Sequence, residues 1–436
     1  MSGHSEKLHV ILAAHPTAGH TSALRAIGVE LQGRGHPVGF ALMQARIPFA
    51  KRWPEPIRFA AELPQSIASD GIEILPLRPA PSGIWHAARL PRSTGQDELA
   101  VAVELFTSGI AQQARHIADH VQHHGACIIV GDYLMPASFL AARLAGVPYV
   151  AMYHSALPFP ADGAAPFGTA LPTSAQGTDQ WRAAEARLDA LASRFDKRVS
   201  NAARALGLEP PKPGLLTRPV SNDLNLLATT PELEPGLRPL TGPVAWTGPC
   251  TRVTDPAGNL EDLAFDSDLP RAYISLGTVF NNNPRAYRTL IEGARDAGFQ
   301  VIVSAGASHE ELAFLQSDLV RIRRHVPQVA LLKQVDVVIT HGENNTVQEC
   351  LAAGRPMVVV PFGGDQWANA RRVERLGVGV HLDPSSLTSS AVRRAVGHIS
   401  QASVVQTSQA LAASLVNYGG AAAATDAILD LIAARG

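Results

Sequence analysis

Cysteine is scarce and scattered. Cys127, Cys250 and Cys350 are odd in number and far apart, so no disulfide framework and no zinc-ligand spacing follow, which suits a reducing compartment. Charge is thin too, at 17% of residues with a formal net charge of −1. That balance gives no global attraction to nucleic acid or to acidic membrane surfaces. Long apolar runs are missing, and no uninterrupted stretch approaches the roughly 18 residues needed to cross a bilayer. The first apolar run, "LHVILAAHP", is short, contains His9 and precedes no cleavage pattern. It reads as a strand rather than a signal peptide, and a cytoplasmic location without stable membrane insertion is the expectation. No P-loop, GxSxG or HExxH occurs.

What is present is a long, well-packed globular pattern. At 436 residues with 46% apolar content, the chain exceeds one ordinary core and suggests two or three domains. Short apolar runs alternate with helical patterns twice over. The first set is "HVILAA" (9–14), "VGFAL" (38–42), "IEIL" (72–75), "CIIVG" (127–131), "PYVAM" (148–152) and "LNLLAT" (224–229). The second is "AYISL" (272–276), "VIVSA" (301–305), "DVVIT" (336–340), "MVVVP" (357–361) and "VGVHL" (378–382). Nearly continuous apolar strands separated by helices indicate parallel sheets buried on both faces, hence two doubly wound α/β domains. Residues 229–250 are dense in Pro and Gly and read as a linker. The stretches 46–59 and 154–172 read as irregular segments over a surface or a cleft. Residues 179–208 read as a helix, with Trp181, Leu188, Leu191, Phe195, Val199 and Leu206 on one apolar stripe.

In open α/β sheets, ligands collect beyond the C-terminal strand ends, where helix N-termini offer N–H groups to anions. "VDVVITHGENNTVQECLAAG" fits this layout. A strand ends at Thr340, and His341 leads into a helix expected from about Asn345 to Ala353. Asn345 and Thr346 fall in its first turn, beside N–H groups able to hold a diphosphate, and Glu349 lies one turn on, placed to accept from a ribose. "PFGGDQWANA" sets Asp365 and Gln366 beyond the next strand, a carboxylate and an amide suited to adjacent sugar hydroxyls.

These residues resemble the UDP-glycosyltransferase superfamily, glycosyltransferase family 1, with the bacterial natural-product, macrolide-type members nearest in style. The "GH" loop, "WTGP", "YISLGT", "HVPQ" and the long signature extend the resemblance over most of the chain. It implies the GT-B fold, two Rossmann-like doubly wound domains facing across a cleft. The division is residues 1–240 for the acceptor and 241–415 for the nucleotide sugar, with a helix over 416–436 packing back on the first domain. By the same resemblance His341, Gly342, Asn345 and Thr346 contact the diphosphate and Glu349 the ribose, while Asp365 and Gln366 hold the sugar. Gly277 and Thr278 approach the phosphates; His325 and Val326 meet the base, and Gln328 reaches the ribose. His325 stands where many members carry a stacking Trp, which leaves uracil or thymine open. Glu343 stands where Gly is usual, and its carboxylate repels a diphosphate unless it turns outward or meets a cation.

On the acceptor side, "AAHPTAGHTSAL" places His20 at the start of a helix. The dipole there disfavours imidazolium, as a general base requires. His20 matches the family's base, and Asp132 in "IIVGDYL" its partner, which fixes the tautomer. Trp85, Phe159 and Phe167 are expected to line an aromatic or alicyclic acceptor pocket. The resulting expectation is inverting, metal-free transfer of a sugar, glucose first, from a UDP- or dTDP-sugar to a hydroxyl of a small, partly apolar acceptor. A lipid or carotenoid acceptor, a GT-B nucleotide-sugar epimerase and a non-catalytic relative are the alternatives, and a homodimer is left open. "QHHGAC" (122–127) and "DSD" (266–268) are read as a helix end and a solvated turn.

Overall fold

A computed structural model describes residues 7–44, 55–78, 80, 83, 86, 95–234, 236–251, 260–265, 268–277 and 282–435, with backbone alone over 55–60 and at 95. The chain forms two compact units, one comprising 1–166, 171–250 and 418–436, the other 167–170 and 251–417.

The first unit is built on seven parallel strands: β1 (Val10–Ala14), β2 (Val38–Met43), β3 (Glu73–Leu77), β4 (Ile128–Asp132), β5 (Tyr149–Tyr153), β6 (Leu224–Leu227) and β7 (Val244–Trp246). Their order is β3-β2-β1-β4-β5-β6-β7, so the chain reverses its direction of winding between β1 and β4. Alternation along each strand feeds two apolar layers. Val10, Leu12 and Ala14 pack with Leu24, Ile27 and Leu31 of the helix Ala18–Gly33 and with Ile428 of the helix Gly420–Ala433. Ile11 and Ala13 face Ile117 and Val121 of the helix Ile110–His124, Leu140 of the helix Pro136–Ala145, and Val199 of the helix Asp179–Ala205.

The second unit repeats the plan with β8 (Arg271–Ser275), β9 (Gln300–Ser304), β10 (Val320–Arg323), β11 (Val337–Thr340), β12 (Met357–Val359) and β13 (Gly379–His381), in the order β10-β9-β8-β11-β12-β13. Val301 and Val303 pack with Tyr287 and Leu290 of the helix Pro284–Asp296 and with Val392 and Val396 of the helix Ser389–Ile399.

Every strand expected from the sequence is present, and two more occur, both at sheet edges. β10 reads "VRIR", alternately buried and half-exposed, and β7 is half-exposed throughout. Neither carries the continuous apolar run of a strand covered on both faces. β7 lies inside the expected linker, which moves the unit boundary from 240 to 250. β3 runs on to Leu77 because an edge tolerates Pro76. The irregular segment expected over 46–59 is outside the described residues up to 54, and from Glu55 the backbone is helical to Ala68. Among the described residues no helix is long and apolar enough to cross a membrane.

Candidate active site

In the first unit the chemistry-bearing side chains collect where β1, β4 and β5 end. Ala13 of β1 pairs with Gly131 of β4, and Asp132 pairs with Met152 of β5. His15 is thus the first residue beyond β1, Asp132 the last of β4, and His154 the first beyond β5. Gly131 allows the next helix to sit close against the strand, since a Cβ there would overlap Ser138. Pro136 opens that helix at a position where a missing N–H costs nothing.

His20 stands in the first turn of the helix Ala18–Gly33, which Thr17 caps by accepting from the His20 backbone N–H at 3.4 Å. Its Nδ1 meets Asp132 Oδ2. The other carboxylate oxygen, Oδ1, accepts from the Leu134 N–H at 2.9 Å and from His154 Nε2 at 3.1 Å. Asp132 is fully buried. Burial alone would raise its carboxyl pKa, but His20 and His154 hold it well below the usual carboxylate range. An ionised carboxylate fixes Nδ1 of His20 as the protonated nitrogen and leaves the lone pair on Nε2. An arrangement of this kind can orient an imidazole to accept a proton.

Two imidazoles beyond the sequence expectation complete the group. The His154 ring lies 4.6 Å from that of His20. His15 approaches His20 edge-on at 5.7 Å and stacks on Phe106 at 4.4 Å. Its Nε2 meets the Leu134 carbonyl at 3.0 Å. Burial, opposed by Asp132 and reinforced by His20, brings its pKa down to about 4. Both follow directly on an apolar run, in "LAAHP" and "AMYHS", and that position at a strand end is the signal that could have flagged them.

The second unit presents a different edge. Thr340 ends β11 between β8 and β12. The helix beyond it runs Asn344–Ala352, one residue earlier than expected at each end, with Glu343 at its N-cap. The Glu343 carboxylate lies 3.6 Å from His341 Nε2, so it meets an imidazole rather than standing alone. His341 is buried against Gly277, whose φ of 72° favours glycine and where any Cβ would overlap the His341 ring. Gln328 draws three groups together: its Nε2 donates to Glu349 Oε2 at 2.6 Å and approaches Thr346 Oγ1 at 3.4 Å, while its Oε1 accepts from Tyr273 at 2.9 Å.

One step along the sheet, Asp365 is half-buried at the start of the helix Gln366–Arg375. Burial and then the Glu343 carboxylate raise its pKa, against the pull of Asn369, His341 and Arg372. Asn369 Nδ2 ties Asp365 Oδ2 at 3.1 Å to the Gly342 carbonyl at 2.9 Å, joining the two loops. Gln366 spends its Oε1 on the N–H groups of Phe362 and Gly363, at 2.7 and 3.2 Å. Asn345 is half-buried in the first helical turn, His325 is exposed and Val326 half-buried. Phe159 is buried in the core beside Tyr153 at 5.0 Å, and Phe167 is half-buried in the second unit. Thr278 and Trp85 lie outside the described residues, as do the first two residues of "DSD".

Comparison with known proteins agrees with this layout. Residues 267–408 match the model of the family described as UDP-glucoronosyl and UDP-glucosyl transferase. NDP-glycosyltransferase YjiC of Bacillus licheniformis is 38% identical over 173 residues, which cover 39% of this chain and 44% of that protein. 4'-Demethylrebeccamycin synthase of Lentzea aerocolonigenes is 26% identical over 404 residues, 89% of this chain and 90% of the relative. The solved structure of the calicheamicin glycosyltransferase CalG4 superposes with a TM-score of 0.73 at 20% identity, covering 98% of this chain and 99% of that one. The chain spans between 36% and 52% of the length of the first curated relatives it matches. The family likeness thus lies over residues 267–408, within a chain that takes the GT-B fold.

Proposed function

We propose that the protein is an inverting glycosyltransferase that moves a sugar, glucose first among candidates, from a UDP- or dTDP-sugar to a hydroxyl of a small, partly apolar natural-product acceptor. The observation that carries this reading is the contact of His20 Nδ1 with the buried Asp132 carboxylate. It holds the Nε2 lone pair ready to take the acceptor's proton as the oxygen attacks the anomeric carbon. Asp132 stabilises the imidazolium that results. On the donor side, the N–H groups at the start of Asn344–Ala352, with His341 and Thr346, offset the charge growing on the departing diphosphate. Glu349, held by Gln328, accepts from the ribose, and Asp365 with the Gln366 amide holds the sugar hydroxyls. These groups supply the electrostatic work without a metal ion, and attack opposite the leaving group gives the β-glycoside from an α-linked donor.

The test is His20→Ala, assayed with UDP-glucose and an acceptor panel. Transfer should fall by roughly 10^3-fold or more, whereas UDP affinity by calorimetry should stay at the wild-type value. Retained turnover would place the base elsewhere.

A further inference from the structure

Outside the candidate active site, a second group of imidazoles gathers at the opposite end of the first sheet. The helix Ile110–His124 carries His116, His120 and His124 at four-residue steps, hence along one face. His9 immediately precedes β1 and stands against the last turn of that helix. Its ring centroid lies 6.4 Å from that of His120 and 6.3 Å from that of His124, while those two stack at 4.0 Å.

The hydrogen bonding assigns the lone pairs. His9 Nδ1 faces the His124 carbonyl at 3.4 Å. A carbonyl only accepts, so Nδ1 carries the proton and Nε2 the lone pair, the second-sphere arrangement usual for a metal-bound histidine. His120 Nε2 is buried and has no hydrogen-bond partner among the described residues. A buried imidazole nitrogen with no partner thus stands next to two further imidazoles, one from the next turn of the helix and one from the residue before β1.

We propose that His9, His120 and His124 form a binding site for a transition-metal dication of the zinc, nickel and copper class. Imidazole nitrogen suits these ions. An i, i+4 histidine pair on a helix supplies two ligands from one rigid element, and the residue before β1 supplies the third. In the resting arrangement the rings of His120 and His124 stack rather than converge. His124 is exposed in the last helical turn, so its ring can turn without moving a core atom. The neighbouring Glu73 carboxylate, on the exposed side of edge strand β3, adds negative charge beside the ion. The inference is independent of the transfer chemistry.

Zinc titration of the full chain, stripped with chelator, tests it by calorimetry at pH 7.5. Zn2+ should bind with one ion per chain and raise the melting temperature. The double variant His120→Gln/His124→Gln should lose at least about tenfold in affinity and lose the thermal shift, with its fold checked by circular dichroism in chelator. His9→Gln should weaken binding as well, a second arm should the double variant not fold. His123→Gln should match the wild type. The competing locus is His20, Asp132 and His154, whose donor atoms already lie within 4.8 Å of one another. The proposal predicts unchanged uptake in His154→Gln. No heat of binding up to millimolar Zn2+, uptake that survives both the double and the His9 substitutions, or uptake abolished by His154→Gln would each overturn it.

Discussion

The two units build their strand ends from different materials. In the first, three imidazoles gather around a single buried carboxylate, and the Leu134 backbone bonds both Asp132 and His15. In the second, the helix Asn344–Ala352 starts beyond β11, and polar side chains of separate segments are tied to one another and to backbone. The contrast follows from the chemistry proposed for each. Removing a proton needs one tautomer held in place, which a desolvated charge secures. Holding a diphosphate needs several N–H groups at fixed spacing, which a helix end provides without any side chain.

If the comparison is right, the most damaging single change lies in the first unit. Asp132→Asn keeps the volume but removes the charge that sets the His20 tautomer, and kcat should fall by about 10^4-fold with UDP affinity unchanged. Equal losses in kcat and UDP affinity would erase the distinction between the units.

The next effect concerns acid stability, and again falls on the first unit. His15 has a pKa of about 4 in the folded protein against 6.5 as its ordinary value. The unfolded chain binds the extra proton first, so the stability that this group contributes is complete above 6.5 and is lost as pH falls towards 4. The loss amounts to about 3 kcal/mol in full, with about 2 kcal/mol gone by pH 5. Urea unfolding at pH 7 and pH 5 should show this decline in the wild type and a shallower one in His15→Gln.

A smaller effect probes the second unit. Gly277→Ala forces a Cβ towards His341 at a φ of 72°, a strain of about 1–3 kcal/mol. UDP binding should weaken roughly 10- to 100-fold, while the isolated acceptor affinity should not move. The smallest effect is a gain. Glu343→Gln removes a carboxylate from the positive end of the helix, and UDP should bind roughly two- to fivefold more tightly, as calorimetry would read. No gain would mean that Glu343, beside His341, does not weigh on the bound diphosphate.

Much of the fold was legible because central strands of a parallel sheet are covered on both faces and so appear as apolar runs. The strands that escaped, β7 and β10, sit at edges, where half the positions face solvent and the run breaks into "VAW" and "VRIR". The site was legible in proportion to its local encoding. His341, Thr346 and Glu349 belong to one strand–helix junction, and their spacing is visible in a dozen residues. The ties of Gln328 to Glu349 and of Asn369 to the Gly342 carbonyl span separate elements, and no local spacing reports them.

The sequence by itself determined two parallel α/β sheets, the helix start beyond β11 and the polar groups stationed there, because each follows from periodicity or from near neighbours along the chain. Only the tertiary structure decided that Asp132 meets His20 and His154 at once, that His15 closes the group, and that His9 joins two imidazoles of a distant helix. Strand order places the ends of β1, β4 and β5 side by side although more than a hundred residues separate the first from the second, and contact across that interval depends on folding.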